Sequence, residues 1–69
     1  MDEDDLPVDE RQCLSALREG KRLLKEKHGA SAMVRFEKAL MLSKSLGEKI
    51  YERRATRGLA AAARLQVRF

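Results

Sequence analysis

Apolar residues recur at three- and four-residue spacing in three stretches of the chain, separated by short interruptions that carry glycine. Such spacing predicts amphipathic helices. In the first stretch Cys13, Ala16, Leu17, Gly20, Leu23 and Leu24 fall within about 120° of one another on a helical wheel. Arg11, Arg18, Lys21, Arg22 and Lys25 lie opposite. A helix is expected over 10–27, with Asp9 as N-cap and Gln12 completing a capping box. Lys27-His28-Gly29 ends it, Gly29 suiting the left-handed conformation that follows a helix terminus. The second stretch predicts a helix over 30–45 with Ala32, Met33, Phe36, Ala39 and Leu40 on one face. Val34 and Met41 project from its other side, flanking Lys38, so a second neighbour has apolar surface to meet. Gly47 is the next stop. The third helix, over 48–67, gathers Tyr51, Ala55, Leu59, Ala62 and Phe69 with Leu65 at the edge. Lys49, Arg53, Arg57, Arg64 and Arg68 form a basic stripe on its opposite face. The alanine run over 60–63 favours helix and lets a neighbouring backbone come close.

The class these elements define is all-α: three amphipathic helices, a helix-turn-helix followed by a third packing helix. A chain of 69 residues holds one small domain. Residues 1–8, acidic and containing Pro7, are expected to be disordered, with 9–69 forming the helical domain. Of the 43% of residues that are hydrophobic, nine are alanine and none is tryptophan, so the core is expected to be thin and to gain from a partner or a second copy. A net charge of +4 conceals a division, since residues 1–10 hold six acids and no base, and the remainder holds fifteen bases against five acids.

Chemistry is sparse. Cys13 has no second cysteine to pair with, and one histidine, His28, cannot build a metal centre. Cys13 and His28 fall about four turns apart on one predicted helix, too far for a nucleophile and its base. No glycine-rich phosphate loop occurs, so no catalytic, metal or cofactor residues are assigned and the chain does not read as an enzyme. No run of about 18 apolar residues and no basic-then-apolar leader is present, which argues against membrane insertion and for an intracellular, reducing compartment.

The spacing Ala16-x3-Gly20-x2-Leu23-x8-Ala32-x3-Phe36-x2-Ala39 resembles a tetratricopeptide repeat, and the stretch from Phe36 to Ala60 is similar to the longer, roughly 40-residue repeats of that family. On that register Ala60 takes the place of Gly20 and Ala63 that of Leu23. The resemblance implies a first helix, its partner helix, and the first helix of a next repeat, with Ala16, Gly20, Leu23, Ala32, Phe36, Ala39, Leu59 and Ala62 as structural positions. It also implies a non-catalytic adaptor or scaffold that binds another protein. Under it, Arg18, Arg22, Lys25, Arg53, Arg57 and Arg64 are the partner-binding residues, capturing an acidic or helical segment. A microtubule-interacting-and-trafficking domain, an antiparallel three-helix bundle that binds helical tails, resembles the same pattern through Ala55, Leu59 and Ala62. Two further readings stand beside these. A basic nucleic-acid binder is disfavoured by scarce aromatic residues and the acidic N-terminus. Homo-oligomerisation through exposed apolar positions is compatible with the adaptor reading.

Overall fold

Each of the three periodic stretches becomes a helix of 18 residues. The computed structural model of the chain describes residues 5–66. α1 spans Val8–Lys25, α2 spans Gly29–Leu46 and α3 spans Lys49–Gln66. No strand occurs among the described residues, and the fold is an all-α packing of three helices. Val67, Arg68 and Phe69, assigned to the third helix from the sequence, lie outside the described residues, as do residues 1–4 of the acidic segment.

The helix ends correct two expectations. α1 begins at Val8 rather than behind an Asp9 cap, and no side chain caps it. Pro7 occupies the cap position at φ −55° and ψ 151°, and its carbonyl accepts the Arg11 amide at 3.0 Å. Proline fits there because its φ is already fixed and its missing N–H would have had no helical acceptor. Asp9 and Glu10 fall in the first turn, where the helix dipole favours acids.

At the other end, the left-handed residue is Lys27, φ 63°, and not Gly29. The His28 amide donates to the Leu23 carbonyl at 2.8 Å and the Lys27 amide to Leu24 at 3.0 Å, closing the helix as a Schellman turn. Gly29 instead opens α2 and is buried, because a Cβ there would lie 3.1 Å from the Ala62 carbonyl and from Leu65 Cβ. Its small size serves the approach of α3. Gly47 does take the predicted left-handed conformation, φ 72°, with the Glu48 amide donating to Ser43 at 3.0 Å.

Two short turns reverse the chain twice, so α2 packs antiparallel against α1 on one side and α3 on the other. α1 and α3 run parallel and touch each other far less. The core holds Cys13, Ala16 and Leu17 from α1, Ala32, Phe36 and Ala39 from α2, and Ala55 and Ala62 from α3. Five of these eight are alanine, so the core is as thin as the composition implies. Leu23, Leu24, Met33, Leu40, Tyr51 and Leu59 are half-buried around it, and Leu65 is exposed.

Phe36 is the one large ring among these described core residues, and two glycines admit it. A Cβ at Gly20 would lie 2.7 to 2.8 Å from three ring carbons, and a Cβ at Gly58 would lie 2.3 to 2.5 Å from three. Near-equal distances to three adjacent carbons place each glycine over the face of the ring. The ring is therefore caught between the backbones of α1 and α3. Gly58, not Ala60, is the α3 position that answers Gly20, and both Ala60 and Ala63 are exposed.

Polar ties complete the packing. Cys13 Sγ lies 3.5 Å from the Ala39 carbonyl, and the Tyr51 hydroxyl donates to Glu10 Oε1 at 3.1 Å, joining the starts of α1 and α3. Ser43 is buried because its hydroxyl donates to the Leu40 carbonyl of its own helix at 2.8 Å.

Candidate interaction groove

Where the Phe36 ring stands between α1 and α3, a groove of about 310 Å³ stays open between the two helices. Leu17 and Leu24 of α1, Ala61 of α3 and the Phe36 ring make its apolar surface. Gly58 and Ala61 are one turn apart, and their lack of bulk keeps the floor accessible. On each wall the next position around the helix carries a cation. Lys21 stands one turn from both Leu17 and Leu24, while Arg54 and Arg57 precede Gly58. The lining residues on each helix span eight positions, about 10 Å or two helical turns from end to end.

These three cations have no carboxylate partner among the described residues, where the ion pairs run elsewhere. Arg22 pairs with Glu26 at 3.5 Å, Arg35 with Glu19 at 3.1 Å and Lys49 with Glu52 at 3.9 Å. All three are surface pairs with at least one exposed partner, each contributing less than about 1 kcal/mol.

Of the residues assigned to partner binding from the sequence, Arg57 lines the groove. Arg18, Arg22 and Lys25 join Lys21 around a separate shallow hollow on the outer side of α1. Arg53 and Arg57 share a third hollow, about 370 Å³, with Lys49, Glu52 and Thr56. Arg64 is exposed further along α3 and lines none of the three. The sequence reading missed Lys21 and Arg54 as site residues. Both sit at the border between apolar and polar faces, and a cation at such a border is the signal that could have found them. Arg11, grouped with the outward cations, is half-buried, and its buried Nε meets no acceptor.

The other reactive groups are held by packing or lie apart. Burial pushes the Cys13 thiol above its ordinary range; nearby Arg54 opposes that shift and Glu10 adds to it. Tyr51 is raised as well, by burial and then by its hydrogen bond to Glu10. His28 is exposed, 3.9 Å from Glu26. Among the described residues no group of three or more His, Cys, Asp or Glu could hold a metal ion, and no helix is long and apolar enough to cross a membrane.

No protein-family model, curated protein or solved structure matches the chain.

Proposed function

We propose that this protein is a non-catalytic interaction module that receives an acidic, amphipathic segment of another protein in the groove between α1 and α3. The observation that carries this reading is an apolar slot floored by Phe36 whose three rim cations, Lys21, Arg54 and Arg57, lack carboxylate partners among the described residues. An apolar side chain entering the slot loses water contact, and carboxylates placed one turn to either side meet the rim in charge-assisted hydrogen bonds. The groove extends about two helical turns, matching a short helix with a single anchoring residue. Such a role is the one that tetratricopeptide scaffolds fill, and a lone cysteine suits a reducing intracellular compartment.

The test uses fluorescence anisotropy with a designed helical peptide carrying one central phenylalanine flanked by glutamates. Binding should weaken at least about ten-fold when the phenylalanine becomes serine, and by about as much with the double change Arg54→Glu, Arg57→Glu, at unchanged helix content. Equal affinity for the serine peptide would reduce the groove to a charge effect and sink the reading. Tighter binding of a mixed-sequence RNA, with a steep salt dependence, would assign the basic surface to nucleic acid instead.

A further inference from the structure

We propose that Thr56 is a phosphorylation site whose modification closes the groove to acidic partners. The modification stands on its own evidence, and only its consequence rests on the groove reading above.

Two independent observations meet on this residue. In sequence, Thr56 follows Arg53-Arg54-Ala55, which places arginines three and two positions before a hydroxyl acceptor. Kinases with acidic subsites read that charge pattern. Thr56 is the only threonine in the chain, and none of Ser15, Ser31, Ser43 or Ser45 has arginine at either position. In space, the exposed Thr56 hydroxyl sits in the hollow on α3 with Lys49, Arg53 and Arg57 around it and the Glu52 carboxylate as the one acid. Among the described residues it donates to the Glu52 carbonyl, one turn back in its own helix, at 2.9 Å.

The step transfers the γ-phosphoryl group of ATP to Thr56 Oγ1. The bond to the β-phosphate breaks, ADP leaves, and the hydroxyl proton passes to the base of an arginine-directed serine/threonine kinase. The kinase needs an extended acceptor, so the start of α3 must open. Over 49–56 Ala55 is the one fully buried residue and Tyr51 is half-buried against the core, and among the described residues one side-chain bond, Tyr51 to Glu10, ties this stretch to another helix. Opening this stretch exposes Ala55 and Tyr51 but leaves the core residues of α1 and α2 and Ala62 of α3 in place, so the proposal requires a local rather than a global opening. When the helix reforms, a phosphate of about −1.5 to −2 charge faces three cations already lining the same hollow.

The consequence follows from Arg57, which lines this hollow and the groove alike. A phosphate one residue away draws its guanidinium from the groove rim and offsets the field of Arg54.

The experiment treats the intact chain with a purified arginine-directed kinase and ATP, alongside a peptide of residues 50–60. We expect one phosphate, recovered as phosphothreonine and abolished by Thr56→Ala, which should leave helix content unchanged. Labelling of the peptide but not the folded chain would show that α3 withholds the site, and labelling of neither would show that the arginines are not read. Either result overturns the proposal. The phosphorylated chain should bind the acidic peptide about ten-fold more weakly than the unmodified chain. Equal affinity overturns the coupling. If the unmodified chain fails to bind, the groove reading falls while phosphothreonine formation still stands.

Discussion

An alanine at position 58 tests the packing of Phe36 most sharply, because two ordinary expectations have opposite signs there. In an exposed helix, Gly→Ala stabilises by about 1 kcal/mol through backbone entropy. Here the added methyl would stand 2.3 Å from Phe36 Cε1, so the ring must retreat by about 1 Å to reach carbon contact distance. Gly20, where a Cβ would lie only 2.7 Å from the ring, closes the way out on the α1 side. Overpacking of this kind costs about 1 to 3 kcal/mol, and a ring hemmed in from both sides belongs at the upper end. Less the propensity gain, Gly58→Ala should destabilise by about 2 kcal/mol, lowering the midpoint of thermal unfolding by about 10 °C in a domain this small. Far-UV circular dichroism during urea and thermal unfolding reads both values. In the Gly58→Ala background, Phe36→Leu should cost less than in the parent, since the smaller side chain relieves the overlap. A Gly58→Ala variant as stable as the parent, or more so, would show that the ring is not confined by the two glycines.

Three other measurements bear on the fold and its surface. Phe36→Ala should destabilise by about 3 to 5 kcal/mol, a large share of the total stability of so short a chain, whereas exposed Arg18→Ala should cost little; denaturant titration gives the order. Cys13 and Tyr51 both have folded values raised above their ordinary ones, so stability should be full at neutral pH and fall as pH climbs past about 8.5 and then about 10. Tyr51→Phe should flatten the upper part of that fall and remove about 0.5 to 1 kcal/mol with the Glu10 hydrogen bond, as thermal unfolding across pH 7 to 11 would record. Val34 and Met41, 64% and 75% exposed on the outer side of α2, should support self-association; sedimentation that shows a strict monomer at high concentration removes that role.

The three helices and their core faces were legible because period-3.6 patterning is written locally. Cys13, Ala16, Leu17, Ala32, Phe36, Ala39, Ala55 and Ala62 all fall on predicted inner faces and all are buried. The glycines were harder to read. Pattern reading treats glycine as a stop, which succeeds at Gly47, where φ is positive. It fails at Gly29, where the backbone is helical and the missing Cβ admits Ala62, and it gives no role to Gly58, inside the third helix, whose missing Cβ admits Phe36. Whether a glycine relaxes a turn or admits a neighbour depends on a residue far away in sequence. The groove was less legible still, since it arises from what α1 and α3 do not bury against each other. A wheel drawn for one helix cannot register a gap between two. It placed Lys21 with the outward cations and left Arg54 on neither face, although both stand at the groove edge.

The same gap links stability to binding. Phe36, a ring only 4% exposed between α1 and α3, serves as a core residue and as the groove floor at once. A partner lying over the ring would touch both helices and supply the packing they lack directly with each other. Such a ligand, present at one hundred times its Kd, stabilises the folded chain by about 2.7 kcal/mol, which is large beside the stability available from a core made mostly of alanine. For that reason Phe36 is a poor probe of function, because its loss removes the fold and the floor together. Arg54 and Arg57 are exposed and unpaired with acids among the described residues, so reversing their charge should leave the unliganded melting temperature nearly in place while abolishing the rise that an acidic peptide brings. A rise that survived the reversal would mean that the peptide stabilises the chain from some other surface, and the groove would lose its claim to the partner.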